Sequence, residues 1–290
     1  MDSLEHMLVT DDWQLVAHRS TKETVGDLID LYDRLNDCYA TYENSISTFA
    51  TCPAVSPLSI EKDILIDFYE APPTALKKLL RIRRNDHQLY TCPYCGTPKK
   101  PNELDHFIPK GEWPEYSIYP NNLVPQCDGC ARIKSVHYFC DQNHAAFFLH
   151  PMYTNLLVNI YFSVQIHFID DLTPPLFTPE FTVDHVSTIE RQRIERHLNK
   201  LNVAERFIAF CESEFIIWKN MKRRASFTIE SAMAQRIQEK SPDGVSAKDW
   251  GTAFYIAVLA NIAVVDYFNR IQRPVRTVSQ PVARMVLNVS

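Results

Sequence analysis

Apolar residues recur at helical spacing through the N-terminal third of the chain. Across residues 25–41 they fall about every 3.6 residues, which predicts an amphipathic helix. A second helix is predicted over residues 59–70, just before two consecutive prolines, and a third over residues 74–84. We therefore expect an N-terminal helical arm at residues 1–87.

β-Branched and aromatic residues replace this pattern after residue 155. Residues 156–169 and 177–183 are dense in such side chains, and they flank a polar, proline-containing segment at 170–175. Residues of this kind on both sides of a turn favour paired strands. The pattern therefore predicts a β-hairpin.

Helical spacing returns from residue 187 to residue 224, and residues 231–271 are expected to add two more helices. Ser187 precedes Glu190 by three positions, which is the pattern of a capping box at a helix start. Together with the hairpin, these helices make up an expected C-terminal domain at residues 156–290.

The most apolar stretch of the chain covers residues 252–265. It is too short to span a bilayer and contains Asn261, so we interpret it as a buried helix. The start of the chain lacks the basic segment and apolar run that mark a signal peptide. We therefore expect a cytoplasmic protein without membrane contact, whose eight cysteines lie in a reducing compartment.

The net charge of −5 gives the chain no overall positive field to attract nucleic acid. Nucleic-acid binding must then depend on a local basic patch, a metal or a partner. The densest basic patch lies on the helix predicted over residues 74–84. It comprises Lys77, Lys78, Arg81, Arg83 and Arg84. Such a run is usually a solvated helix face, but its position just before the first cysteine motif favours phosphate contact.

Four cysteines form two Cys-x-x-Cys units, one at Cys92 and Cys95 and one at Cys127 and Cys130. Two intervening residues allow both thiolates of one turn to face the same ion, and two such turns complete a tetrahedral site. We therefore predict a structural Zn²⁺ site with all four positions filled. Two unrelated pairs of free cysteines are the alternative. Redox chemistry of the thioredoxin kind is disfavoured, because neither unit opens a βαβ pattern.

The segment between the two cysteine pairs carries Asp-His-Phe-Ile-Pro-Lys at residues 105–110 and Asn-Leu-Val-Pro at residues 122–125. Ala-Arg-Ile-Lys follows the last cysteine, and Leu-His-Pro-Met-Tyr stands at residues 149–153. In these blocks the chain resembles the HNH (ββα-metal) nuclease family. It is most similar to zinc-knuckle members that include the PtuB-type nuclease subunits of Septu and retron-associated phage-defence systems. The resemblance covers residues 88–155, which we take as the central nuclease domain.

The resemblance implies a role for each residue of these blocks. His106 corresponds to the general base that takes a proton from water, a task suited to a neutral imidazole at about pH 7. Asp105 corresponds to a ligand of a catalytic Mg²⁺ or Mn²⁺ ion. Asn122 corresponds to the amide that holds the loop around the base. The expected nucleic-acid contacts are Lys110, Arg132 and Lys134.

Position 131 departs from the family pattern. The residue after the fourth cysteine is normally His or Asn and supplies the second protein ligand of the catalytic metal, whereas this chain has Ala131. Three explanations stay open: an inactivated nuclease, a ligand supplied from elsewhere with Asp128 as the nearest candidate, or a domain that keeps the fold and only binds. We favour the first, because the surrounding residues still fit the active pattern.

The expected architecture is mainly α, with a small ββα-metal core stapled by the zinc site, helical arms at both ends and a short β-hairpin. The expected function is an HNH endonuclease subunit that cleaves DNA or RNA. By resemblance it is the effector of an anti-phage complex with an ABC/SMC-like ATPase partner. A non-catalytic zinc-knuckle module that binds nucleic acid or protein is the alternative. A zinc-dependent hydrolase is disfavoured, because thiolates would fill all four zinc positions.

Overall fold

The computed structural model describes residues 4–241 and 246–271, so residues 272–290 of the predicted C-terminal domain lie outside the described range. Within that range, helices predominate and the strands form two-stranded sheets. The helices are α1 Trp13–His18, α2 Val25–Asp30, α3 Tyr32–Ser47, α4 Lys62–Glu70, α5 Thr74–Asn85, α6 Asp128–Lys134, α7 Thr188–Lys200, α8 Val203–Arg224, α9 Ile229–Gln238, α10 Trp250–Ala260 and α11 Ile262–Arg270. The strands are β1 Glu103–His106, β2 Leu123–Gln126, β3 Phe139–Cys140, β4 Ala145–Ala146, β5 Ile160–His167 and β6 Leu176–Val183. The expectation of a mainly helical chain is confirmed.

Helices α1 to α5 enclose a hydrophobic core of their own. The buried side chains that they contribute include Trp13, Leu28, Leu35, Leu65, Phe68, Leu76 and Leu80. Leu104, Ile118 and Leu123 of the central segment complete the same cluster. The N-terminal arm therefore packs directly against β1 and β2.

The N-terminal helices differ from the prediction mainly at their ends. The helix predicted over residues 25–41 is two helices, α2 and α3, joined at Leu31, and α3 continues to Ser47. The helix predicted over residues 59–70 begins at Lys62. The third predicted helix is confirmed as α5.

The predicted β-hairpin is also confirmed. Strands β5 and β6 pair antiparallel, with Ile160 opposite Val183. One face of β5 is buried through Ile160, Phe162 and Val164. These side chains belong to a second, larger core that also contains the four cysteines of the two motifs and the buried faces of α8 and α10. The hairpin and the C-terminal helices thus share a core with the cysteine motifs.

The first C-terminal helical region is interrupted once. Helices α7 and α8 are separated at Leu201 and Asn202, where Asn202 adopts a left-handed conformation with φ 49°. The capping box at the start of α7 is confirmed. The Ser187 hydroxyl accepts a hydrogen bond from the Glu190 N–H, and the Glu190 carboxylate accepts one from the Ser187 N–H.

Residues 252–265 lie in two helices, not in the single helix expected. Helices α10 and α11 meet at 90°. Asn261 explains the break, because its Oδ1 caps α11 by accepting from the Val264 N–H at 3.2 Å. Its Nδ2 donates to the carbonyl of Ile166 on β5 at 3.0 Å. No single described helix is long and apolar enough to cross a membrane, and only this bent pair, taken together, has the length and composition.

The central segment folds as two strands followed by a helix. Strands β1 and β2 pair antiparallel, with His106 opposite Leu123. The loop between them contains two short 3-10 helices, Pro114–Tyr116 and Pro120–Asn122. Helix α6 begins after β2, with Cys127 as its N-cap. The cysteine and histidine motifs therefore lie on adjoining short elements.

Replacing Asn261 by alanine removes both the cap of α11 and the hydrogen bond to β5. We expect the free energy of unfolding to fall by about 1–2 kcal/mol, because an N-cap and one further hydrogen bond are lost. Urea unfolding followed by circular dichroism measures the change. Asn143→Ala, in an exposed turn, is the matched control and should leave stability unchanged. Equal losses in the two variants would contradict the prediction.

Candidate metal centre and histidine site

The four cysteines of the two motifs converge on one point. All four thiol sulfurs are buried and lie within 4.8 Å of one another. The sulfurs of Cys92 and Cys130 are 3.8 Å apart, and those of Cys95 and Cys127 are 3.9 Å apart. Ligands about 2.3 Å from one zinc ion at tetrahedral corners lie about 3.8 Å apart, whereas a disulfide needs about 2.05 Å. The cluster can therefore hold a metal such as zinc.

Local backbone structure presents these sulfurs to one another. Gly96 has a φ of 77°, a left-handed value, and its N–H donates to the Cys92 carbonyl at 2.9 Å. The Cys92 sulfur accepts from the Cys127 N–H at 3.4 Å, and the Cys127 sulfur accepts from the Cys130 N–H at 3.4 Å. Backbone N–H groups that point at sulfur favour the thiolate form, which is the form that binds metal.

A cluster of buried thiolates would need positive charge nearby. Burial raises the pKa of the Cys95 and Cys130 thiols, while hydrogen bonds with the neighbouring sulfurs lower the pKa of Cys127. The guanidinium of Arg206 on α8 supplies such a charge, at hydrogen-bonding distance from three of the sulfurs. The sequence patterns missed Arg206, because no local signal distinguishes it from the other basic residues of α8.

His106 ends β1 and is 8% exposed. Its Nε2 lies 2.9 Å from the carbonyl oxygen of Ser117. Since a carbonyl only accepts, the ring proton lies on Nε2 and the lone pair on Nδ1. No group among the described residues hydrogen-bonds to Nδ1. Burial lowers the pKa of His106 to about 3, and Lys110 and Lys134 act in the same direction, so the imidazole is neutral at neutral pH.

The N-terminal arm forms one wall around this imidazole. The ring of Tyr69, on α4, meets the His106 ring edge-on, with centroids 4.3 Å apart. The Nζ of Lys110 lies 2.6 Å from a carboxylate oxygen of Glu70, at the end of the same helix, and 4.9 Å from the centre of the Tyr69 ring. Lys110, an expected nucleic-acid contact, is therefore in an ion pair beside the candidate base.

The Asn122 amide is fully buried and fully hydrogen-bonded. Its Nδ2 donates to the carbonyls of Ile108 and Tyr116 at 3.0 and 3.1 Å. Its Oδ1 accepts from the Ile108 N–H at 2.7 Å and from the Tyr42 hydroxyl at 2.8 Å. These bonds use both donors and both lone pairs of the amide. Asn122 thus ties the loop after His106 to the following 3-10 helix and to α3.

Asp105 and Lys134 form a buried ion pair. The Lys134 Nζ lies 2.8 Å from Asp105 Oδ2, with side-chain exposures of 0% and 10%. The same ammonium donates to the carbonyl of His106 at 2.9 Å. Burial raises the pKa of Asp105, and Lys134 opposes that rise. Contrary to expectation, Lys134 points into the interior and is out of reach of a phosphate, because this ion pair draws it inward.

The other basic candidates divide between surface and core. Arg132 is 80% exposed, and its ion pair with Asp128 is long, at 3.8 Å. Its guanidinium therefore remains accessible to a ligand. Arg83, part of the basic patch on α5, is buried and donates to the carbonyls of Met7 and Leu123 at 2.6 and 2.9 Å. Arg83 thus joins α5 to the start of β2 as a structural residue, and only the other four basic residues of the patch are exposed.

Position 131 contributes only a methyl group to α6. Apart from the four cysteines, no group of three or more His, Cys, Asp or Glu side chains within the described residues is close enough to hold an ion. Asp128, the alternative source of a ligand, pairs with Lys99 at 2.7 Å. Asp105 therefore belongs to no such group of three in the part of the chain described.

Comparisons with known proteins give few matches. No protein-family model matches the chain, and no solved structure is significantly similar to it. Over 120 residues the chain is 29% identical to Protein ea31 of Escherichia phage lambda. The matched segment covers 40% of this chain and 39% of that protein, so the chain spans about two fifths of the length of the curated relative it matches. At that identity and coverage the similarity assigns neither a family nor an activity.

Metal analysis of the purified protein tests the cysteine cluster. We expect one zinc ion per chain, and we expect the double variant Cys92→Ala/Cys127→Ala to lose it, because two of four thiolate ligands are removed. Plasma mass spectrometry measures the content. Cys52→Ala, at an exposed cysteine, is the control and should retain the metal. Zinc-free unmodified protein, or zinc retained by the double variant, would refute the assignment.

Removing the ammonium of Lys134 tests the buried ion pair. Lys134→Met should lower the free energy of unfolding by about 3–5 kcal/mol, because Asp105 is left buried without its cation. The double variant Lys134→Met/Asp105→Asn should recover part of that loss, whereas Lys100→Met, at an exposed lysine, should change little. Chemical denaturation gives all values. A double variant no more stable than Lys134→Met would rule out the coupling.

Proposed function

We propose that this chain is an HNH-type endonuclease subunit whose catalytic metal site is incomplete at Ala131. The observation that carries the proposal is the state of His106. The imidazole is neutral, its Nε2 is held by the Ser117 carbonyl, and its Nδ1 can take a proton from a water molecule placed there. Burial lowers the pKa of this base to about 3, and an anionic phosphate beside it would raise that pKa towards neutrality. The order of β1, β2 and α6 around this ring supports a ββα-metal unit.

Asn122 supports the same proposal through its position. Its amide joins the loop that follows His106 to the 3-10 helix that precedes Ser117. The Ser117 carbonyl, which fixes the His106 tautomer, therefore directly follows a residue that Asn122 holds in place. Since all four hydrogen-bonding positions of the amide are used within the protein, its proposed role is to position the base and not to contact substrate.

The residues around Asp105 do not fit a Mg²⁺ or Mn²⁺ ion in this chain. Magnesium requires an octahedral set of oxygen ligands. Here the Asp105 carboxylate faces the Lys134 ammonium, and Ala131 offers no donor atom. No step of the proposed reaction is therefore assigned to a metal in the unmodified chain. The proposal is that Asn or His at position 131 restores the site.

The missing metal ligand at position 131 also favours a second candidate function. In this alternative the chain is a zinc-knuckle module that binds nucleic acid or protein without cutting. The exposed Arg132 and the outward basic side chains of α5 would supply phosphate contacts. The geometry of His106 argues against a module built only for binding. Such a module has no need of an imidazole held in one tautomer with a free lone pair.

We further propose that the chain acts in an anti-phage defence complex with an ABC/SMC-like ATPase. The support is the resemblance of residues 88–155 to PtuB-type subunits. The net charge of −5 fits a nuclease that reaches nucleic acid through a partner. The sequence also contains no glycine-rich phosphate loop, so energy from nucleotide hydrolysis would have to come from another chain.

A cleavage assay on plasmid DNA and on total RNA tests the proposed activity. We expect the Ala131→Asn variant to cut one of these substrates in the presence of Mg²⁺ or Mn²⁺, and we expect EDTA to abolish this cleavage. Adding His106→Ala to this variant should slow cleavage by about 10²–10⁴-fold, because the general base is removed. Adding His167→Ala instead, at an exposed histidine of the hairpin, is the matched control and should leave the rate unchanged.

The remaining outcomes separate the alternatives. If the unmodified chain cuts as fast as Ala131→Asn, the metal site is complete and this part of the proposal is wrong. If neither cuts, even with the candidate ATPase present, the nuclease proposal fails. A gel-shift assay with Arg132→Ala then tests the binding module, which predicts weaker binding in that variant.

A further inference from the structure

A residue outside both cysteine motifs contacts the cysteine cluster. Arg206, in the first turn of α8, lies with Nη1 3.4 Å from the Cys130 sulfur. Its Nη2 lies 3.6 Å from the Cys95 sulfur and 3.4 Å from the Cys127 sulfur. We infer that Arg206 is a positioning residue of the metal site, which holds three of the four thiolates around the metal and joins α8 to the cluster.

The charge of the cluster explains why a guanidinium is placed there. Four thiolates around one Zn²⁺ ion leave a net charge of about −2, buried in the larger hydrophobic core. The arginine guanidinium is permanently charged and can donate to several sulfurs at once, so it suits this position better than the ammonium of a lysine.

Two further contacts aim the guanidinium at the sulfurs. Nη1 also donates to the carbonyl of Leu201 at 3.2 Å, and the guanidinium lies 5.6 Å from the centre of the Trp250 ring. The guanidinium therefore has a backbone partner and an aromatic neighbour besides the sulfurs. These contacts restrict the side chain before it meets the cluster, so less side-chain entropy is lost there.

Gly129 in the second motif provides the space that Arg206 needs. A Cβ atom at this position would lie 2.6 Å from Arg206 Nη2 and 3.1 Å from its Cζ. The 2.6 Å distance is too short for a non-bonded contact, so a larger residue at 129 displaces the guanidinium. Gly129 is not among the residues with positive φ, so its backbone accepts alanine. The missing side chain at Gly129 therefore makes room for the Arg206 guanidinium, whereas the backbone conformation of the turn does not require a glycine.

Other C-terminal residues bind the first cysteine loop beside Arg206. His197 of α7 donates from Nε2 to the Tyr94 carbonyl at 2.7 Å. The N–H of Trp250, at the start of α10, donates to the Gly96 carbonyl at 3.1 Å. Three helices of the C-terminal domain therefore depend on the conformation of the loop from residue 92 to residue 96. Metal binding to this loop should order those helices, and Arg206 should transmit part of that effect.

Zinc transfer from the loaded protein to the chelator 4-(2-pyridylazo)resorcinol tests the inference. Outer partners of metal ligands typically change metal affinity by about 10–100-fold. We therefore expect Arg206→Met to release zinc at least about 10-fold faster, and Arg206→Lys, which keeps the charge, to release it at an intermediate rate. Arg206→Met with the release rate of the unmodified protein would overturn the inference.

A second pair of variants leaves Arg206 itself unchanged. Gly129→Ala should displace the guanidinium and speed zinc release in the same direction. Gly111→Ala, where a Cβ meets no atom within 4 Å, is the matched control and should release zinc normally. This pair keeps the inference testable even if Arg206→Met fails to fold. Equal rates for the two glycine variants would count against it.

Cobalt substitution separates a direct effect on the thiolates from general loosening of α8. Loss of hydrogen bonds raises the energy of the sulfur electrons, so the sulfur-to-cobalt charge-transfer band should move to longer wavelength in Arg206→Met and Gly129→Ala. A purely structural role for Arg206 would leave that band in place while zinc release became faster. Hydrogen exchange should also show metal-dependent protection of α8 in the unmodified protein, reduced in both variants.

Discussion

Four buried sulfur atoms within 4.8 Å of one another impose the constraint on which the rest of this structure depends. As thiolates they repel each other, and burial removes the water that would screen them. Four thiolates at this spacing would need a cation among them, and the surroundings suit such a charged cluster. Backbone N–H groups and the Arg206 guanidinium all point at sulfur. Because one cysteine pair lies in a loop bonded to the C-terminal helices and the other begins α6, fixing the sulfurs fixes both parts.

Polar contacts connect α6 to the candidate base, so the position of this helix determines the position of His106. Cys127 and Cys130 place the start of this helix, and Lys134 at its end bonds to Asp105 and to the carbonyl of His106. On the other side, Asn122 holds the loop that leaves β1. His106 therefore stands on a short strand that Lys134 and Asn122 hold from two sides, and such elements hold a side chain more rigidly than a free loop does.

The sequence predicted the features that depend on local pattern or on fixed spacing. The cysteine cluster, the hairpin of β5 and β6 and the capping box at Ser187 follow from residues close together in the chain or from ligand geometry. The break at Asn261 was not predictable, because it depends on a hydrogen bond to Ile166 on a distant strand. The burial of Arg83 and Lys134 was missed for a related reason. Sequence patterns place charged residues at the surface, and only a tertiary partner reverses that placement.

Lys134 also bears on the proposed loss of a ligand at position 131. A buried carboxylate without a cation costs about 3–5 kcal/mol, and in a metal-loaded nuclease the ion would remove that cost. Here the Lys134 ammonium, 2.8 Å from Asp105, supplies the charge instead. The cysteine cluster has no such substitute, since the single charge of Arg206 cannot balance four thiolates. The charge of Asp105 is therefore balanced within the chain, whereas four thiolates at the cysteine cluster would need a metal ion. Under the proposed function, a chain built in this way can lose its catalytic ion and still hold His106 in a conformation suited to proton transfer.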